Sequence, residues 1–377
     1  MTVWVGLGIV AAVLVAVEAG ARWMIRRGRY YVWVPGSRRR FRPDPECYPH
    51  LEPRVRFDVN AQGERGGPVP AGGGGAFRVL VVGGSAAECF LLDQESCWPG
   101  VLERELADPV RRARLGAQRV HVGNIGRSSV DSHTLRIILE KVLPSYAGLD
   151  AIVVMVGASD VLRWLEAGAP PDRPATTLSV GAAFAQHPEV VLGWRPSRWG
   201  LAEVWRRLRE RLPPRFEPAG GRWIARARAM RRDAKEVRRE VPEAGVVYRS
   251  FEEHFAEVLR LCRRAAPRVV VARQPWFEKE RFTAEEEAMF WNGGVGQAFR
   301  EQVTVYYASE VIFALMAGVD ARAARLAEAQ GVPQVDLRPV LEMNVRFFYD
   351  HFHLTPVGCA PVGRLLADVV TRGPGDH

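Results

Sequence analysis

Residues 77–86 read Phe-Arg-Val-Leu-Val-Val-Gly-Gly-Ser-Ala. The apolar run Val79 to Val82 closed by Gly83-Gly84 predicts a short strand buried on both faces, as in a parallel sheet. The two glycines let the backbone turn sharply and leave the Ser85 hydroxyl exposed at the carboxyl end of that strand. The Ser85 N–H can then face a developing oxyanion. Ala87 stands where the second glycine of a G-x-S-x-G elbow would be, which argues against an α/β-hydrolase elbow.

Outward from this stretch the chain alternates strand and helix patterns. Val120 to Val122, the wholly apolar Ala151 to Val156, Val269 to Ala272 and Val335 to Leu337 read as further strands. Between them, Trp98, Val101, Leu102 and Leu106 recur at helical spacing, as do Leu135, Ile138, Leu139 and Val142 behind an Asp131 cap. Val311, Ile312, Leu315, Met316 and Val319 mark a long helix. A last helix starts at Thr355-Pro356 and buries Val362, Leu365, Leu366, Val369 and Val370. Such alternation predicts an α/β fold of three layers, α/β/α, around a parallel sheet.

Three more segments fall at strand ends, where open α/β sheets bind ligands. Asn124-Ile125-Gly126 follows the second strand, and its glycine would bring a backbone N–H close to a substrate. Gly157-Ala158-Ser159-Asp160 follows the third, where Ser159 could donate to the same oxyanion or simply cap a helix. Asp350-His351-Phe352-His353 precedes the last helix. A serine nucleophile needs a base, and the base needs a carboxylate to fix its tautomer. Asp350 lies three residues before His353 and can reach its Nδ1; His351, adjacent to Asp350, is the competing base.

The order of these blocks (serine, glycine, a polar G-x-x-D, then D-x-x-H-x-x-P) resembles the SGNH/GDSL hydrolase superfamily from about Phe77 to the C-terminus, the insertion excepted. The resemblance implies a flavodoxin-like sheet and a serine esterase that acts on acyl esters, often acetyl groups on carbohydrates. It further implies Ser85 as nucleophile, Asp350 and His353 as its triad partners, and an oxyanion hole from the N–H groups of Ser85 and Gly126 with Ser159 in the place of the usual asparagine. Glu18 and Arg22, Asn60 to Gly66 and Trp98-Pro99 also look like the lead-in of membrane-anchored bacterial members. The resemblance implies no metal and no organic cofactor. Transfer of the acyl group to a glycan, and a catalytically degenerate, membrane-tethered binding or assembly protein, are the competing readings.

The N-terminus carries a separate signal. Val3 to Val17 is apolar or glycine throughout, and the pattern continues to Ile25 around Glu18 and Arg22. This is the length of a membrane-spanning helix, and no basic region precedes it as in a signal peptide. Residues 1–25 are therefore expected as an anchor, with Trp23, Arg26, Arg27 and Arg29 at the headgroups. Those arginines put the bulk of the chain in the cytoplasm by the positive-inside rule, whereas the resemblance implies an extracytoplasmic catalytic domain.

Residues 26–76 read as a linker ending in Gly72 to Gly75, residues 77–377 as the catalytic domain, and 165–247 as a basic helical insertion within it. The insertion holds Trp194, Trp199, Trp205 and Trp223, and Leu201, Val204, Trp205, Leu208 and Leu212 mark an amphipathic helix. It reads as a helical cap, or as a lid touching acidic substrate or the membrane surface. Trp276, Trp291 and the insertion's tryptophans are candidates for a stacking wall against sugar rings.

Across all 377 residues the formal charge is +9, and lysine occurs only at positions 141, 235 and 279. The arginine-rich balance suits an anionic surface, but no zinc-finger, helix-turn-helix or RNA-binding signature accompanies it, so nucleic acid is not an expected partner. The five cysteines make no CxxC pair and no His/Cys cluster.

Overall fold

The apolar runs become five parallel strands in a computed structural model that describes residues 2–70, 75–174, 178–193 and 195–372. Gly72 to Gly74 and Trp194 lie outside the described residues. The strands are β1 (Ala76–Gly83), β2 (Arg119–Asn124), β3 (Ala151–Met155), β4 (Arg268–Arg273) and β5 (Gln334–Asp336), in the order β5-β4-β3-β1-β2. Val79 sits between Val122 and Ala151, and Val81 between Asn124 and Val153, so the polar ends of β1, β2 and β3 emerge together. The connection from β1 leads outward to β2 and then back across to β3. The flavodoxin-like order thus places a topological switch point between β1 and β3, at the carboxyl end of the sheet.

Eight helices matter for the site: α1 (Thr2–Arg26), α2 (Trp98–Leu106), α3 (Ser132–Val142), α4 (Ala158–Glu166), α5 (Gly200–Arg209), α6 (Gly245–Ala265), α7 (Ser309–Ala329) and α8 (Pro356–Thr371). Helices α2 and α8 pack together against one face of the sheet, while α3, α6 and α7 cover the other. The caps read from sequence form: Asp131 accepts from the Thr134 N–H at 2.7 Å, and Thr355 from the Gly358 N–H at 3.3 Å. With both faces covered, Val79 to Val82 and Ala151 to Met155 are all buried, which is why those runs carry no polar residue.

The stretch expected as a linker is folded. Arg38–Pro43 pairs antiparallel with Val55–Asp58 and parallel with Phe216–Ala219 of the insertion. Val32, Trp33, Phe41, Tyr48, Val55 and Phe57 join the main hydrophobic core. The reason is bulk: these apolar side chains bury against the first loop after β1, and the arginines between them stay at the surface. The insertion is correspondingly not purely helical, since Phe216–Ala219 and Glu236–Arg238 both pair in strands.

Helix α1 is the one described helix long and apolar enough to cross a membrane. Its last turns are not free. Ile25 and Ala21 are buried, and α1 packs against α5.

Candidate active site

Strand β1 delivers Gly83, whose φ of 152° is open to glycine but costly for other residues. A Cβ there would also lie 1.9 Å from the Met155 carbonyl oxygen. The chain then turns into a single helical turn, Ser85–Glu88, with Ser85 as its first residue. The N–H of a first helical residue has no partner within its helix, so the Ser85 amide is available at the carboxyl end of the sheet.

The loop before α8 supplies the rest. His353 Nε2 lies 2.8 Å from Ser85 Oγ, and His353 Nδ1 lies 2.8 and 2.9 Å from the two Asp350 oxygens. Asp350 Oδ1 accepts the backbone N–H groups of Phe352 and His353 at 2.9 and 3.0 Å, and its Oδ2 accepts the Trp291 indole N–H at 3.0 Å. Tyr349 stacks on the His353 ring, 5.3 Å between centroids and 10° between planes. A hydroxyl, an imidazole and a carboxylate stand in one hydrogen-bonded line.

The electrostatics follow from this arrangement. Burial alone would push the Asp350 carboxyl up, but the His353 charge and the hydrogen bonds from His353 and Phe352 outweigh it and hold it well below the ordinary carboxylate range. Burial pulls the His353 imidazole down, and the Asp350 carboxylate outweighs that and raises it above its ordinary value. His351 goes the other way. It is fully buried, stacked on Phe290 at 3.9 Å, 3.1 Å from Ser309 Oγ, and burial holds it well below the ordinary histidine range. Of the two histidines, only His353 meets Ser85.

The oxyanion residues separate. Gly126 sits beside the Ser85 turn, but its N–H already donates to Asn124 Oδ1 at 2.7 Å, closing a side-chain turn. The glycine is required by packing instead, since a Cβ would lie 2.6 Å from the Glu88 nitrogen. This corrects the expectation of an open Gly126 donor. Ser159, in the first turn of α4, places its Oγ 3.8 Å from where a Cβ on Gly84 would stand. It therefore faces the Ser85 turn rather than capping its own helix. Its neighbour Asp160 is structural, accepting both the N–H (3.1 Å) and the hydroxyl (2.5 Å) of Ser132. Burial and the Asp131 charge push the Asp160 carboxyl up to about 8.

Several residues of the site escaped sequence reading. Arg65, buried, gathers the carbonyls of Glu88 (2.6 Å), Cys89 (2.8 Å) and Leu92 (2.5 Å), and so locks the segment that follows Ser85. Trp98 donates to the Ala86 carbonyl at 2.9 Å from the other side. Of the two sugar-wall tryptophans expected outside the insertion, the buried Trp276 offers no face to a sugar ring, while Trp291 is half-buried. Trp276 is buried and donates to Glu278 at 2.6 Å, and Trp291 spends its indole N–H on Asp350. Trp223 of the insertion, exposed on one side, packs edge-on against Trp291 at 5.6 Å. No cluster of three His, Cys, Asp or Glu side chains placed to hold a metal occurs among the described residues.

No family model matches this chain, and no curated protein does. Solved structures do. An α/β-hydrolase enzyme from the metagenome of Lake Arreo matches at 13% identity and a TM-score of 0.43, over 79% of this chain and 97% of that one. A carbohydrate acetylesterase from Sinorhizobium meliloti matches at 12% and 0.40, over 78% and 98%. An acetylxylan esterase from Geobacillus stearothermophilus matches at 11% and 0.42, over 79% and 95%. The likeness is loose. The functional reading rests on the geometry of the site itself.

Proposed function

We propose that this chain is a membrane-anchored serine esterase of SGNH type that hydrolyses an acyl ester, an acetyl group on a carbohydrate being the preferred substrate class. The observation that carries the reading is the continuous contact from Ser85 Oγ through His353 to Asp350. Among the described residues it joins groups 268 positions apart in sequence at the sheet's switch point, where chance alone seldom brings a hydroxyl, an imidazole and a carboxylate into line.

In this reading His353 Nε2 takes the Ser85 proton as Oγ attacks the ester carbonyl carbon. The carbonyl oxygen becomes an oxyanion that accepts from the Ser85 N–H and the Ser159 hydroxyl. Collapse breaks the bond to the alcohol, which leaves with the proton held on His353, and Ser85 keeps the acyl group. Water, deprotonated by His353, then attacks the acyl carbon, and Ser85 leaves with the proton. Asp350 stays ionised throughout, fixing the ring tautomer and stabilising the imidazolium. Transfer to a sugar hydroxyl would replace water in the second half. The intact hydrogen-bonded line weighs against a degenerate site. The catalytic domain is proposed to lie outside the cytoplasm, as the resemblance implies and against the charge rule.

A fluorophosphonate probe tests the reading. The full chain is expected to form a covalent adduct at Ser85 that Ser85→Ala abolishes and boiling prevents. Equal labelling of the two proteins would overturn the proposal. Ser159→Ala is expected to lower kcat about 10²-fold on methylumbelliferyl acetate with little change in KM, the signature of a donor used in the transition state. An unchanged kcat would remove Ser159 from the oxyanion site.

A further inference from the structure

Arg38–Pro43 runs between Val55–Asp58 and Phe216–Ala219, and its side chains alternate between two faces. Phe41 and Pro43 are buried on the inner face, so Arg38, Arg40 and Arg42 share the outer one, about 7 Å from one to the next. Arg54 and Arg56, at the start of the neighbouring strand, join them. Carboxylates answer only two of these five arginines. Arg40 pairs with Asp58 at 2.5 Å, and Arg56 with Asp93 and Glu95 at 2.8 Å each. Arg38, Arg42 and Arg54 are exposed and have no carboxylate partner among the described residues.

The placement of the unpaired arginines is costly as it stands. Arg42 follows Phe41 and Arg54 precedes its partner Val55, so the two stand opposite each other across the ladder, where like charges repel. Both guanidinium groups lean on one ring instead, 5.2 and 5.6 Å from the centroid of Phe216, which stays 37% exposed. At the Arg38 end the face opens into a groove of about 710 Å³ that Arg38, Arg40, Gln62 and Gln94 help to line. Its size falls within the roughly 300–1,000 Å³ of small-ligand sites. Gln62 and Gln94 spend their carbonyl oxygens on Arg78 (2.7 Å) and on the Asp58 N–H (2.9 Å), which leaves their amide N–H groups to donate elsewhere.

This small sheet is built onto the neighbours of the triad. Phe41, on its inner side, packs against Phe90 of the segment that follows Ser85, 4.5 Å between centroids. The loop joining Arg38–Pro43 to Val55–Asp58 carries Tyr48, which meets Tyr349 edge-on at 5.5 Å, and Tyr349 stacks on His353.

We infer that the outer face of this sheet binds an anionic glycan, a chain of sugar rings bearing carboxylates, and that the ester brought to Ser85 is carried on such a chain. The second half rests on the esterase reading above. Guanidinium groups take carboxylates in charge-assisted hydrogen bonds, the Phe216 ring offers a surface to a sugar, and the free amide N–H groups suit hydroxyls. A bilayer surface would call for a stripe of apolar side chains, and Phe216 is the one large exposed hydrophobic of this face among the described residues. Single-stranded nucleic acid is held by several rings, one for each stacked base.

The test measures binding of the full chain, in detergent, to oligogalacturonate as the anionic probe. Maltodextrin, oligothymidylate and phosphatidylglycerol vesicles are the comparisons. Oligogalacturonate is expected to bind saturably, more weakly as salt is raised, and maltodextrin at least about tenfold more weakly. Arg42→Gln/Arg54→Gln is expected to weaken oligogalacturonate binding about tenfold and Arg38→Gln about threefold, each with the near-UV circular dichroism of the native chain. Arg264→Gln/Arg281→Gln, the same loss of charge at exposed positions elsewhere, is expected to stay within about twofold. Equal binding of the anionic and neutral glycans would overturn the inference. So would native affinity in both Arg42→Gln/Arg54→Gln and Arg38→Gln, an equal loss in Arg264→Gln/Arg281→Gln, or tighter binding of oligothymidylate or of the vesicles. Binding is read without turnover, so its failure leaves the esterase reading standing. Absent fluorophosphonate labelling at Ser85 would instead remove that reading and leave the glycan-binding face.

Discussion

His353→Ala is expected to lower ester turnover by a factor on the order of 10⁶, and Ser85→Ala by a similar factor. The double variant should be no slower than either single one. The reason is that Ser85 Oγ and His353 Nε2, 2.8 Å apart, form one functional unit. Without the base the hydroxyl stays protonated, and without the hydroxyl the base has nothing to activate. The residual rate of each variant comes from binding and the oxyanion donors alone. Steady-state kinetics on methylumbelliferyl acetate with all three proteins checks this. Multiplying penalties in the double variant would show that the two residues act separately. His351→Ala belongs in the same experiment as a contrast, because His351 touches Ser309 and Phe290 rather than Ser85.

The second large effect concerns Asp350. Asp350→Asn is expected to reduce kcat about 10⁴-fold, since an amide presents a donor where His353 Nδ1–H needs an acceptor, and the ring is driven toward the wrong tautomer. The pH profile should move as well, and its direction is set by the same geometry. In the native protein the Asp350 carboxylate outweighs burial and raises the His353 imidazole above its ordinary value. The base is neutral only above that raised value, so kcat/KM falls as the pH drops through it. Removing the charge leaves burial as the dominant influence, which disfavours the imidazolium. The acid limb should therefore shift to lower pH in Asp350→Asn while the plateau drops. A limb that stays in place, or moves up, would show that Asp350 does not set the protonation of the base.

The fold was legible wherever burial on both faces left no choice of residue. Val79 to Val82 and Ala151 to Met155 could be read as strands because nothing polar interrupts them, and Thr355-Pro356 as a helix start because capping chemistry is local. What escaped notice depends on partners distant in sequence. Arg38–Pro43, with four arginines and a proline, has no strand signature of its own, and it becomes a strand because Val55–Asp58 and Phe216–Ala219 flank it. Helix α6 does carry its own period, since Val247, Phe251, Phe255, Val258, Leu259 and Cys262 form a buried stripe at helical spacing just past the basic insertion.

The site divides in the same way. Ser85 sits in a short motif at the end of β1, and Asp350 and His353 in another just before α8, and the fold brings the three side chains together. The engagement of the Gly126 N–H was not readable. Asn124 two residues earlier fits an open turn and a closed one equally well, and only the conformation decides. Trp291 lies 59 residues from the carboxylate it holds, and no spacing rule connects them.

Arg65 has a practical consequence for anyone who wishes to isolate the core domain. Pattern alone suggests cutting just ahead of Phe77, where the alternation of strand and helix begins. Such a cut would discard the guanidinium that three carbonyl groups downstream of Ser85 lean upon, and uncover the aromatic floor formed by Trp33 and Phe57. The smallest autonomous unit therefore begins ahead of Tyr31, and the segment resembling a spacer belongs to the architecture of the turn that presents Ser85.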